Sequence, residues 1–347
     1  KSMVTQKVVA TPPKSSIFLT LTIHPGSESS VLGLLPAVSG LTRSVGFRHP
    51  DAELLNVVGI GSEAWDRLLP NAHRPQHLHP FRELTGHPHH APSTPGDLLF
   101  HIRGRTPDMC FELARVLMEK FGPYTSVEDE VHAFKYFDER DLLGFVDGTE
   151  NPENDEAYDA VLIDDDPEFD GGSYVHVQKY VHDLAAWDSI TVEEQERVIG
   201  RTKSDDLEFP DDEKPSNSHL ALNDVSDDEG NDLDILRYNM AFGDFSSGDM
   251  GTYFIGYAKD PGVTEQMLEN MFLGDPPGNY DRILDFSTAQ TGALFFVPSI
   301  DLLDDIDALT EGSPASTNEP APSTPLPTDT ESGDHPPEGF TVGRLQA

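Results

Sequence analysis

The chain has one cysteine, two tryptophans, few basic residues and no long apolar run in its 347 residues. The lone Cys110 excludes an internal disulfide and a cysteine-based metal site. It stands at helical spacing with Leu113, Leu117 and Phe121, which makes it a core residue. No stretch approaches the roughly 18 consecutive apolar residues of a membrane-spanning helix. There are 23 Lys+Arg against 62 Asp+Glu, a formal net charge of −39. Nucleic acids and anionic membrane surfaces are recognised by clustered cations, so neither is an expected partner. The first residues carry neither a basic segment followed by an apolar one nor a twin-arginine pair, and a cytoplasmic location is expected.

What is present suffices for a sizeable core and two domains. Residues 1–15 are polar with a Pro-Pro pair and read as a mobile arm. Residues 16–23 and 57–61 read as strands, and residues 30–43 as a helix with Leu32, Leu35 and Val38 or Leu41 on one face. Residues 71–96 are a Pro- and His-rich excursion, read as a loop or subunit contact rather than a metal site, because its prolines deny helical His spacing. A repeat follows: strand 98–104 with helix 107–121, and strand 251–257 with helix 261–272, each helix opening on Pro and ending in Phe. This predicts an α+β fold built from two copies of one unit, antiparallel sheets packed by helices. Residues 153–170 and 204–234 are strongly acidic and read as solvated loops. Between them, 174–182 reads as a strand, and Thr191-Val192-Glu193-Glu194 as a capping box opening a helix toward Ile199.

The chain is organised around residues 141–152, Asp-Leu-Leu-Gly-Phe-Val-Asp-Gly-Thr-Glu-Asn-Pro. An apolar run presents Asp147 between Gly144 and Gly148, which permit a sharp turn and close approach of a bulky partner. Two readings compete: a desolvated carboxylate suited to proton exchange, or an Asp-Gly turn that caps its own backbone.

Three further motifs accompany it: residues 217–223 (Asn-Ser-His-Leu-Ala-Leu-Asn), 235–243 (Ile-Leu-Arg-Tyr-Asn-Met-Ala-Phe-Gly), and 251–258 (Gly-Thr-Tyr-Phe-Ile-Gly-Tyr-Ala) with Met271-Phe272-Leu273-Gly274 after it. In this order, over residues 15–300, the four resemble the dye-decolourising peroxidases, haem enzymes, and in particular their bacterial B-type branch. The resemblance implies two tandem ferredoxin-like domains, 16–142 and 143–303, whose sheets sandwich the haem site. It implies one haem b per chain and reduction of hydrogen peroxide through an oxoferryl intermediate, with dyes, phenolics or other one-electron donors oxidised. An oligomer built from dimers, up to a hexamer, is expected.

His219 is the implied axial ligand and the iron's only protein donor, with its other ring nitrogen donating to Asp281 or, second, Asp285. Asp147 is the implied distal acid–base group, taking a proton from peroxide and delivering it to the leaving oxygen. Arg237 offers a permanent cation to the developing negative charge, or else pairs with an acidic loop or a propionate. Asn239, two residues on, faces the same way along a strand and orders peroxide or water. Arg201 is the better propionate partner. Gly148 leaves room beside Asp147, and Phe254 is either an apolar wall above the haem or core. Electrons are expected to enter through Trp187 or surface tyrosines. Glu150, Glu208 and Asp232 form a manganese site of oxygen ligands or, as the favoured reading, are ordinary solvated acids.

From residue 304 to 337 the chain turns Pro-, Ser-, Thr- and acid-rich and is expected to be disordered. Residues 338–347 then place Phe340, Val342 and Leu345 around Gly343, which resembles the C-terminal peptides that load such peroxidases into encapsulin shells. The expected partner is an encapsulin shell protein and the expected location an encapsulin nanocompartment. The rival reading is a haem-handling protein that stores haem or releases its iron without peroxidase turnover.

Overall fold

The structure, a computed structural model, describes residues 4–310. The expected cargo peptide at 338–347 and the linker from 311 onward lie outside the described residues.

The first half runs β1 (Ser15–Ile23), α1 (Glu28–Leu34), α2 (Val38–Gly46), β2 (Leu55–Gly61), β3 (Leu98–Gly104), α3 (Pro107–Phe121) and β4 (Thr125–Phe134). The predicted helix at 30–43 is thus two helices, with a 3-10 turn at Leu35–Ala37 where Pro36 interrupts the α-helical bonding. The second half runs β5 (Ser173–His182), α4 (Val192–Ile199), α5 (His219–Asn223), β6 (Met240–Gly243), β7 (Met250–Ala258), α6 (Pro261–Phe272) and β8 (Ala293–Val297). Each half is a βαββαβ unit whose sheet has the order second, third, first, fourth strand, all antiparallel. That is the ferredoxin-like topology. The repeat legible in the sequence, β3–α3 and β7–α6, is the third strand and second helix of each unit.

The two sheets join at both edges. Phe134 pairs with Ala241 across β4 and β6, and Phe295 and Phe296 pair with Gly61 and Ile60 across β8 and β2. The eight strands therefore close into a barrel, and the described residues belong to one compact unit. Side chains alternate along each strand. Phe18, Val57, Leu99, Val177, Ile255 and Phe295 pack between the sheets, so most of the space the sheets enclose is apolar core. The outer face of the first sheet is covered by α1, α2 and α3, with Leu32, Leu35, Val38, Cys110, Leu113 and Leu117 buried against it.

Three expectations are corrected. The N-terminal arm is anchored: Val8 is buried, and Gln6 donates to the carbonyls of Val58 and Pro298 and accepts from the Val58 amide. The acidic segment 153–170 holds a helix, Asn154–Val161, because Ala157 and Val161 one turn apart give it an apolar stripe. The ordered body continues beyond 303 to Thr310, where Ile306 is fully buried in the first unit's core. The His-rich excursion is mostly irregular, as read. His79 and His89 face Glu265 and Asp285 of the second unit, His90 faces Glu83, and among the described residues no cluster of metal-binding side chains forms.

Candidate functional site

On the outer face of β5 and β7, Gln178, Tyr180, His182, Thr252 and Phe254 form one wall of a cavity of about 410 Å3. The remaining walls come from residues 141–151, α5, α6 and the segment around Arg237. All lining residues lie between 141 and 287, so the second unit builds the cavity alone.

His219 opens α5, directly after Ser218, whose hydroxyl accepts from the Ala221 amide at 3.2 Å and caps the helix. Its Nδ1 lies 2.6 Å from Oδ2 of Asp281, which is completely buried. The other carboxylate oxygen accepts from the Ile283 amide at 3.0 Å, and the Asp281 amide donates to the Met271 carbonyl. A carboxylate so held accepts a hydrogen bond from Nδ1–H, keeps the proton on that nitrogen and leaves Nε2 with a free lone pair. The alternative partner, Asp285, is engaged elsewhere, with His89 and the hydroxyl of Tyr280.

Asp147, Arg237 and Asn239 line the same cavity. Gly144 and Gly148, at φ +88° and +82°, take the left-handed conformation that the turn requires. The Asp147 amide donates to the Glu139 carbonyl at 2.8 Å. Burial pushes the Asp147 carboxyl above its ordinary range, against the pull of Arg237. Burial likewise lowers Arg237, opposed by Asp147, Glu150 and Asp234. Asn239 sits in the gap between the two-residue strand Leu236–Arg237 and β6, and its Oδ1 accepts from the Ile255 amide at 3.1 Å. Its face is set by that bond rather than by a continuous strand.

Other expected residues line the cavity with different partners. Arg201 is held by Glu150 at 2.8 Å and by Asp206 at 2.8 Å, so its cation is already neutralised. Phe254 packs against two apolar clusters and also faces the cavity. Glu150, Glu208 and Asp232 are paired with Arg201, Lys214 and Ser226 and form no metal cluster. Trp187 is 1 % exposed and donates from Nε1 to the Leu143 carbonyl at 2.9 Å, so it braces the Gly144 turn and offers no surface to a donor molecule.

Among the lining residues not singled out in the sequence, four bear directly on the site. Asn151, read only as part of a stop, clamps Arg237: its Oδ1 accepts from the Arg237 amide at 2.9 Å and its Nδ2 donates to the Arg237 carbonyl at 2.8 Å. Asp141 accepts from the Leu143 and Phe145 amides. Burial, then the charge of Asp147, pushes its carboxyl up to about 7. Gln178 and Thr264 are buried with Nε2 and Oγ1 lacking any protein partner. The Asp-x5-Asp spacing of 141 and 147 was the one available signal; the other three announce themselves only in three dimensions.

Family comparison resolves the assignment. Residues 6–135 match "Dyp-type peroxidase, N-terminal" and residues 138–302 match "Dyp-type peroxidase, C-terminal". The chain belongs to the Dyp-type peroxidase family. A dye-decolorizing peroxidase of Rhodococcus erythropolis (strain PR4 / NBRC 100887) is 60% identical over 306 residues, 88% of this chain and 89% of that protein. The encapsulated DyP-type peroxidase from Mycobacterium smegmatis, solved by cryo-EM, superposes with a TM-score of 0.86 at 57% identity, covering 88% of this chain and 98% of that one. A Rhodococcus jostii RHA1 DypB variant in complex with heme gives a TM-score of 0.84 at 55% identity, over 86% and 97% of the two chains. The cavity of this Dyp-type peroxidase suits a flat, largely apolar cofactor. It offers one imidazole with a free Nε2, apolar walls from Phe254, Met267, Leu268, Met271 and Ile283, and two orphaned buried polar atoms for polar edges.

Proposed function

We propose that this peroxidase binds one haem b per chain in the 410 Å3 cavity, with His219 Nε2 on the iron, and reduces hydrogen peroxide at the expense of phenolic, dye or other one-electron donors. The observation that carries the reading is the 2.6 Å contact of His219 Nδ1 with buried Asp281, in a cavity that also holds Asp147, Arg237 and Asn239. When bound, the haem supplies the iron at which peroxide is activated.

The protein supplies the rest. Asp281 keeps the Nδ1 proton in place and makes His219 a stronger donor. Asp147 accepts the first proton of peroxide and returns it to the departing oxygen. A desolvated carboxyl, raised above its usual range by burial, suits both directions of that transfer. Arg237, aligned by Asn151, offers a cation to the negative charge that develops as the O–O bond breaks. Asn239, with Oδ1 committed to Ile255, keeps its amide hydrogens free to orient peroxide.

The same reading places the protein as cargo of an encapsulin shell through residues 338–347. Support comes from the Phe340, Val342, Leu345 pattern at the end of an acidic, Pro-rich tether and from similarity to an encapsulated relative. The deciding experiment is absorption spectroscopy of haem-loaded protein before and after one equivalent of peroxide. A Soret band that shifts on peroxide and is altered or lost in His219→Ala is expected. An unchanged band and haem affinity in that variant would remove His219 as the ligand.

A further inference from the structure

The barrel interior holds a second polar cluster, separate from the cavity. Arg103 on β3 is 1 % exposed. Its Nη2 donates to the carbonyls of Lys7 and Val8 in the N-terminal arm, while Nε and Nη1 have no protein partner. Among the described residues no carboxylate pairs with it. His101, two residues earlier and on the same inward face, is fully buried, and its Nε2 also lacks a partner. Ser16, the cross-strand neighbour of Arg103 on β1, is buried with an unpartnered Oγ.

The hydroxyl of Tyr257 lies 2.7 Å from Nδ1 of His101. Burial keeps that phenol protonated and the imidazole neutral. Arg103 Nε and Nη1 are donors without acceptors whichever way that bond runs. With the hydroxyl donating to Nδ1, the imidazole proton sits on Nε2 and His101 adds a third donor, and the Ser16 hydroxyl can rotate to become a fourth. A ligand that only accepts, and that carries the charge opposite to Arg103, satisfies every group in that arrangement. A buried cation without a counter-charge is strongly unfavourable, and the Tyr238 ring, 4.7 Å beneath the guanidinium, compensates only in part.

We propose that Arg103, His101 and Ser16 form an internal binding site for a small monovalent anion such as a halide, closed by the arm at residues 6–10. The arm fits this role: its carbonyls hold Arg103, and Ala10 holds the Tyr238 hydroxyl through both its amide and its carbonyl. Tyr238 sits in the chain between Arg237 and Asn239, so the anion and the peroxide site share one segment.

Crystals of the haem-loaded enzyme soaked in bromide, measured at the bromine absorption edge, test the site. An anomalous peak bridging Arg103 and His101 is expected in the parent protein and should vanish in Arg103→Met. Ordinary density there without anomalous signal means water alone and overturns the proposal, as does a peak that persists in Arg103→Met. Should that variant fail to fold, the parent measurement decides by itself. Ser16→Ala, which removes only the adaptable donor, should keep the peak at reduced height.

Discussion

His219 and Asp281, 62 positions apart in the chain, meet through Nδ1 and Oδ2 at 2.6 Å, while Asp285, four residues further on, turns to His89 and Tyr280. Asp281→Ala should therefore weaken haem affinity about 10–100-fold and raise the reduction potential of the bound iron. Asp285→Ala should leave both nearly unchanged. Haem titration and spectroelectrochemistry check this, and equal effects of the two substitutions would reassign the partner.

Asp147→Asn removes the proton acceptor and Arg237→Leu the cation. Each should slow the reaction with peroxide by about 10²–10³-fold while leaving the resting haem spectrum in place. Stopped-flow rates equal to the parent in both variants would refute the distal assignment.

Asn151→Ala leaves the amide and carbonyl of Arg237 without their side-chain partners. A loss of about 1–3 kcal/mol in stability is expected, with slower peroxide reaction and intact haem binding. Asn151→Asp keeps the acceptor for the Arg237 amide but loses the donor to its carbonyl, so it should fall between parent and Ala. Thermal melts and stopped-flow measurements on one set of variants decide.

Asp141 is raised from 3.8 to about 7, burial being the larger cause and Asp147 the next. The folded state therefore holds a proton that the unfolded state has lost between those two values. This group then makes stability fall as pH rises from about 4 to 7, and contributes no further slope above that. Asp141→Asn should remove this part of the slope, so that the difference in melting temperature between variant and parent grows with pH across the window and then levels off. A difference independent of pH from 4 to 8 would rule out the raised carboxyl.

Deleting residues 338–347 should leave peroxidase turnover intact and abolish co-purification with encapsulin shells when the two proteins are expressed together. Equal loading of truncated and full-length protein would end the cargo reading.

The sequence alone determined the α+β repeat, because Pro at helix starts, aromatic helix ends and strand composition are local signals that burial reinforces. It also singled out Asp147, His219, Arg237 and Asn239, each in a compact motif, and all four line one cavity. Tertiary structure decided what depends on contacts between distant segments. Barrel closure rests on a few residue pairs at Phe134–Ala241 and Phe295–Gly61, which no periodicity reveals. Arg201 lines the cavity yet is taken by Glu150, 51 residues away, and Asp206. Asn151 becomes a clamp only because Arg237, 86 residues on, returns beside it. Arg103 reads in sequence as an ordinary strand residue, and only closure of the barrel around it turns it into a buried cation facing His101 and Ser16. A side chain's type and local spacing are written in the sequence, but its desolvation and its partners are set by what the rest of the chain brings against it.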